Sequence, residues 1–228
     1  MVIKSFVPLI DIVCLDFSNA QLSTLKQNTR TADFLIVTSA NAVYCAPPAL
    51  LDSINERTFI ITMGQATTDA LQERMPTLRV NYTAPLGATS ESVLQTSYLE
   101  QTNVQQKNVC ILAGEGGRTV LADTLSERGA LIKWVKVYKQ EKPVISLDLL
   151  LSQLQSQQVC FIATSSRIVE NLLSLTNDKA KSWLLKQPLI VVSERIKLQA
   201  KEWGFERIAL ANGAHSSAIV QACENYLF

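Results

Sequence analysis

An α/β protein of two similar lobes is expected from two features of the sequence: short β-branched runs alternate with amphipathic segments from about residue 30 onward, and the alternation occurs twice. Each run is followed by a helix or a connection, as parallel strands with crossover helices are. In order, the strand candidates are Phe34 to Thr38, Phe59 to Thr62, Arg79 to Tyr82, Val109 to Ala113, Ile132 to Tyr138, Val159 to Ala163, Leu189 to Val192 and Arg207 to Leu210. With 228 residues, 47% of them hydrophobic and 18% charged, the chain can bury a core, which excludes disorder.

The repeat is visible in the residues themselves. Phe34-Leu-Ile-Val-Thr-Ser39 returns as Cys160-Phe-Ile-Ala-Thr-Ser165, the strand at Phe59 with its helix returns at Leu189, and Gly87-Ala88-Thr89-Ser90 returns as Gly213-Ala214-His215-Ser216. A nearly constant offset of about 126 to 129 residues argues for duplicated domains. The stretch Val109 to Tyr138 reads as strand, Gly-rich loop, helix, Gly129 cap and strand. By the same offset only the last strand of its partner is present, as Ile3 to Leu9, and the repeat extrapolates to a further strand and helix of about 20 to 25 residues ahead of Met1. The first α/β domain is then discontinuous, residues 1–9 plus 143–228, and the second is 10–142. Two crossings join them, near Pro8 to Ile12 and near Lys139 to Val144, and a double hinge of this kind makes a cleft that opens and closes.

Charge and composition narrow the function. The formal net charge is +1 with Lys and Arg dispersed, so nucleic acid and anionic membrane are not expected partners. No apolar run reaches the roughly 18 residues of a membrane span, and Met1-Val2-Ile3-Lys4 is not a signal peptide, so a cytoplasmic setting is expected. Cys14, Cys45, Cys110, Cys160 and Cys223 are odd in number and lack a CxxC pair, so they read as small core residues rather than a disulfide framework or a zinc site. His215 is the single histidine, which removes most imidazole relays and metal sets, and its place before a terminal helix reads as a turn. No cofactor or metal is expected.

The candidate site residues lie at strand ends where helices begin, the usual ligand edge of an open parallel sheet. Thr38-Ser39-Ala40 and Thr164-Ser165-Ser166 are equivalent in the two copies. Their helix N-termini offer unpaired N–H groups to an anion, and the plainer reading of the same hydroxyls is helix capping. Gly64-Gln65 and its counterpart Ser193-Glu194-Arg195 add further N–H groups at that edge. The run Gly114-Glu115-Gly116-Gly117-Arg118 follows a strand, so its backbone can approach an anion while Arg118 donates in pairs; its glycine spacing fits neither dinucleotide-binding nor phosphate-loop fingerprints. Tyr138 ends its strand at the second crossing, beside the expected cleft. The set suits the positioning of a small anion more than nucleophilic attack upon it.

These segments resemble the uroporphyrinogen-III synthase family: FLIVTSANAV, ITMGQATTDAL, ILAGEGGRTVLADTLSERGA leading to VKVYK, FIATSSRIVENL, and VVSERIKLQA followed by WGF, together nearly the whole chain. The resemblance implies two flavodoxin-like lobes joined by two linker strands, a monomer without cofactor, and hydroxymethylbilane as substrate, a linear tetrapyrrole bearing eight carboxylates. It implies ring closure with loss of water and inversion of the last pyrrole to give uroporphyrinogen III, and transient contact with the preceding pathway enzyme. On this sequence Tyr138 matches the position that assists hydroxyl departure, Ser39 and Ser165 match the strand-end serines, and Arg118 matches a basic position in the Gly-rich segment. Ser193 replaces a customary glycine and Glu194-Arg195 a customary Pro-Thr pair. The family opens with a strand, an Arg-bearing loop and a helix ahead of the point where this chain begins. Two other readings remain: a two-lobed small-anion-binding protein or inactive homologue without catalysis, and a nucleotide-dependent flavodoxin-like module.

Overall fold

The computed structural model describes residues 7–117, 119–214 and 216–227. The chain divides into two compact units: one spans Ile12–Gln140, and the other joins the segment ending at Asp11 to the chain from Glu141 onward.

The contiguous unit runs β1 (Asp11–Cys14), α1 (Asn19–Arg30), β2 (Phe34–Val37), α2 (Ala40–Cys45), α3 (Pro48–Leu51), β3 (Phe59–Thr62), α4 (Gln65–Arg74), β4 (Tyr82–Thr83), α5 (Ser90–Leu94), α6 (Gln101–Val104), β5 (Asn108–Gly114), α7 (Val120–Glu127) and β6 (Leu131–Glu141). Its sheet has the order β1-β6-β5-β2-β3-β4, and β6, β5, β2, β3 and β4 run parallel. The central strands are apolar on both faces because helices cover both. Leu35, Val37, Cys110 and Leu112 pack with Val43, Leu50 and Leu71 of α2, α3 and α4. Their sequence neighbours Ile36, Val109 and Ile111 point the other way, onto Val93, Val104 and Leu125 of α5, α6 and α7. The side-chain period of two thus fills a three-layer sandwich from one sheet.

The discontinuous unit contains α8 (Asp148–Leu154), β7 (Phe161–Ala163), α9 (Ser166–Ser174), α10 (Asp178–Leu184), β8 (Pro188–Val191), α11 (Glu194–Glu202), β9 (Arg207–Leu210) and α12 (Ser216–Leu227). β7, β8 and β9 form a parallel three-stranded sheet. Its core gathers Leu151, Val169, Leu172, Leu184, Leu189, Val191 and Ile196, with Val7 and Leu9 packed against it. The amide of the buried Asn171 side chain donates to the Leu9 carbonyl at 2.6 Å, which ties the opening segment to α9. The order β7-β8-β9 repeats β2-β3-β4, and α9 and α11 start on Ser165 and Ser193 as α2 and α4 start on Ser39 and Gly64.

Several expectations need correction. The strand expected at Ile3 to Leu9 is not present at residues 7–9, and its earlier part lies outside the described residues. A strand, β1, occupies part of the segment read as a crossing, and α1 was not foreseen. The strand expected from Arg79 is displaced to Tyr82–Thr83, because only those residues pair with Ile61 and Thr62 of β3. β6 does not end at Tyr138 but continues to Glu141. The cysteines are not all core thiols: Cys14 and Cys45 form a disulfide, with Cα atoms 5.0 Å apart where β1 comes beside the end of α2. Cys110 is the buried thiol expected, and burial pushes it up to about 12. Among the described residues no helix is long and apolar enough to cross a membrane, and no group of His, Cys, Asp and Glu could hold a metal ion.

Candidate functional site

The carboxyl ends of β2, β5 and β6 bring three of the expected residues together. Val37 is the last residue of β2; Thr38 then donates both its amide and its hydroxyl to the Leu112 carbonyl, at 3.0 and 3.1 Å, so the chain leaves the sheet held to β5. Ser39 follows in extended conformation as the N-cap of α2, its Oγ accepting from the Ala42 amide at 3.2 Å. The same Oγ lies 3.1 Å from the Tyr138 hydroxyl of β6. Ala40 opens α2 and contributes no polar side-chain group.

Tyr138 is only 7% exposed, and its ring belongs to the cluster of Val135 and Val137. A regular strand would send it to the opposite face from Val137. The register with β5 shifts between Ala113 and Gly114, so that Ala113 pairs with Lys136 but Gly114 pairs with Tyr138. This bulge adds one residue to β6 and turns Tyr138 onto the face of its predecessor. Gly114, expected as a backbone contact for an anion, instead lies under the phenol: a Cβ there would be 2.5 Å from Tyr138 Cζ. The next amide, of Glu115, donates to the Tyr138 carbonyl at 2.7 Å. Arg118 and His215 lie outside the described residues.

Gly64 caps α4 with φ of 150°, and its carbonyl accepts from the Thr67 and Thr68 amides. Gln65 donates from Nε2 to Asp69 at 2.7 Å, along its own helix. Beneath this turn the buried hydroxyls of Thr62 and Thr68 cluster with that of the half-buried Thr83, with Thr62 Oγ1 2.5 Å and Thr83 Oγ1 2.8 Å from Thr68 Oγ1. Sequence reasoning missed this cluster; the available signal was a Thr closing β3 with another Thr at the fourth residue of the following helix.

In the other unit Ser165 and Ser193 cap α9 and α11, accepting from the Ile168 and Ile196 amides at 3.4 Å. Ser166 donates to Gln199 Oε1, and Arg195 Nη1 donates to Ser166 Oγ at 2.9 Å and to Gln199 Oε1 at 3.2 Å. Glu194 pairs with Lys197 at 3.3 Å on the exposed side of α11. The capping reading therefore holds for Ser39, Ser165 and Ser193 alike. Only Ser39 adds a second hydroxyl partner, Tyr138. The contiguous unit thus presents a hydroxyl pair seated on a glycine, a geometry that can hold and pass one proton but offers no strong nucleophile.

Comparison with known proteins follows the same lines. The family model described as Uroporphyrinogen-III synthase HemD matches residues 3–221. A uroporphyrinogen-III synthase of Salmonella typhimurium is 32% identical over 137 residues, 59% of this chain and 55% of that protein. One of Escherichia coli is 33% identical over 139 residues, with the same two shares. The matched stretch therefore spans about half the length of these relatives. Among solved structures, uroporphyrinogen-III synthetase from Helicobacter pylori superposes with a TM-score of 0.62 at 16% identity, covering 97% of this chain and 95% of that one. A mutant uroporphyrinogen III synthase from Thermus thermophilus gives 0.56 at 16% identity, covering 96% and 87%. At such identity the structural likeness shows the two-domain α/β fold.

Proposed function

Since the chain belongs to the uroporphyrinogen-III synthase family, we propose that it closes hydroxymethylbilane to uroporphyrinogen III, with Tyr138 assisting the departure of the hydroxyl. The observation that carries this reading is the Tyr138–Ser39 hydroxyl pair, 3.1 Å apart at the strand ends of the contiguous unit. The pyrrole nitrogen supplies the electrons that break the C–O bond, and the phenolic proton leaves with the hydroxyl as water. The substituted carbon of the last ring then attacks the azafulvene to give a spiro intermediate. Rearrangement inverts that ring, and the proton lost as the macrocycle regains aromatic pyrroles returns to Tyr138.

A weak acid such as a phenol suffices because expulsion by pyrrole is easy. The demanding step is orientation: the unassisted chain closes without inversion, so the protein must bring the substituted carbon to the reacting centre first. Eight substrate carboxylates match helix N-termini and serine hydroxyls better than dispersed lysines. The capped starts of α4, α9 and α11, with Gly64, Gln65, Ser165, Ser166, Ser193, Glu194 and Arg195, are the anchors this reading assigns. It places the protein in the cytoplasm as a monomer, with transient contact to the enzyme that delivers the bilane. The test is the isomer ratio formed when hydroxymethylbilane is supplied to the chain. Type III product above the uncatalysed background supports the reading, and type I product alone refutes it.

A further inference from the structure

Gly114 stands in the sequence as the first glycine of a Gly-rich run expected to approach an anion, yet in the structure it is the final residue of β5 and its backbone lies against an aromatic ring. An ideal Cβ on it would meet Tyr138 Cζ at 2.5 Å, Cε2 at 2.6 Å and Cε1 at 2.9 Å. Those three atoms are the hydroxyl-bearing end of the ring, so any side chain at position 114 would displace the part of Tyr138 that reaches Ser39. Nothing else at Gly114 requires glycine, since its φ is not among the positive values found at Gly64, Gly87, Gly116, Gly129, Gly204 and Gly213. The need is therefore for space, and the space belongs to the phenol.

Three features converge on one atom. The bulge at Ala113/Gly114 turns Tyr138 to the Val137 face, Gly114 leaves room for the ring, and the Ser39 Oγ lies 3.1 Å from the phenolic oxygen. Ser39 Oγ already accepts the Ala42 N–H, and a hydroxyl has one proton and two lone pairs. If Ser39 donates its proton to the Tyr138 oxygen, the phenolic proton is left free for a ligand.

We propose that Gly114 and Ser39 are positioning residues for Tyr138: Gly114 seats the ring, and the Ser39 hydroxyl donates to the phenolic oxygen, steadying it both before and after it gives up its proton. This rests on the reading of Tyr138 given above. Neither residue then has to touch the bilane. Ser39 and Gly114 set how well the proton is delivered, which is a kcat effect, whereas an anchor for substrate carboxylates would appear in KM.

The experiment compares Gly114→Ala, Ser39→Ala, Ser39→Thr and Tyr138→Phe in the full chain, with type III turnover and the NMR signals of ring-labelled tyrosine as parallel readouts. The Tyr138 signal is identified by its loss in Tyr138→Phe. Gly114→Ala is expected to shift that signal, to lower kcat by the same factor as Tyr138→Phe within about twofold while KM stays put, and to add nothing to Tyr138→Phe in the double variant, as members of one unit behave. Ser39→Ala is expected to lower kcat about tenfold, the worth of one hydrogen bond, and Ser39→Thr to restore most of it. A Tyr138 signal unmoved by Gly114→Ala, or a double variant slower than either single one by the product of their effects, overturns the proposal. Should Gly114→Ala fail to fold, Gly114→Ala/Tyr138→Ala must be about as stable as Tyr138→Ala alone, because the clash is gone; a double variant markedly less stable than Tyr138→Ala overturns the proposal as well. A wild-type chain that makes no type III product refutes the functional reading instead, and the NMR comparison still decides the seat.

Discussion

Arg74, the last residue of α4, donates from a single guanidinium nitrogen to the carbonyls of Val43, Tyr44 and Ala46, at 2.6, 3.1 and 2.9 Å. They lie at the end of α2, where Pro47 and Pro48 have no N–H to offer and the Ala46 amide, bonded to the Val43 carbonyl at 3.2 Å, is the one local backbone donor. Nη1 has two protons for three acceptors, so the bonds share, and their worth is nearer that of one or two charge-assisted bonds than of three. Replacing Arg74 by Met keeps the aliphatic stem and removes the donor, and should cost about 2 to 3 kcal/mol. At a urea slope of about 2 kcal/mol/M this moves the midpoint down by about 1 M or slightly more. The two units should be followed separately. Trp134 lies in the contiguous unit, so a background with Trp183 and Trp203 replaced by Phe makes its fluorescence report on that unit alone. Arg74→Lys restores the charge but not the fork, and should recover about half the loss. A midpoint shift for Arg74→Met below about 0.2 M would refute the view that α2 is held by a cap supplied from α4.

The disulfide between Cys14 and Cys45, 31 residues apart, restricts the unfolded chain, so reduction should cost the contiguous unit about 3.5 kcal/mol, seen as a lower urea midpoint with dithiothreitol that Cys45→Ser reproduces without it. Identical midpoints with and without reductant, or five titratable thiols in the denatured, unreduced protein, would show that the bond does not form. Asp148 is held below the usual carboxylate range chiefly by the Asn177 amide, against some opposing burial, with help from the Ser146 hydroxyl and the Asn177 side chain. Its folded value being lowered, its contribution is full above the unfolded value of about 3.9 and disappears as pH falls through the folded value. Asp148→Asn should therefore be less stable than wild type at pH 6 and converge with it in acid, by Trp183 fluorescence in denaturant; a gap that persists at pH 2 would contradict this assignment.

The strands that pattern alone marked most sharply are those buried on both faces, although the partly exposed β6, β7 and β9 were also among its candidates. β2, β3, β5 and β8 are continuous apolar runs because helices cover them above and below, and such runs stand out from their polar flanks. β1 escaped because Asp11-Ile-Val-Cys14 has no fully buried residue, and α1 because Leu22 and Leu25 are almost its whole apolar stripe. At the candidate site the residue types were legible and their association was not. Ser39 and Tyr138 were each singled out, but what joins them is a bulge, one extra residue in β6 that leaves the composition unchanged. Gly114 was read as letting the backbone approach an anion, when the volume it leaves empty is filled by the Tyr138 ring. The disulfide depends on β1 lying beside the end of α2, a tertiary fact that no cysteine spacing in one chain reveals.

The bond from Asn171 to the Leu9 carbonyl spans 162 positions, and every residue of the contiguous unit lies between its two ends. During synthesis at about 5 to 20 residues per second, Leu9 would be added to the chain roughly 8 to 30 s before Asn171. Over that interval Ile12–Gln140 is complete and free to fold, while Val7 and Leu9 have no core to enter. The order of assembly is thus set by the order of translation: the inserted unit first, then the interrupted one, whose opening residues wait as exposed apolar chain until α9 arrives.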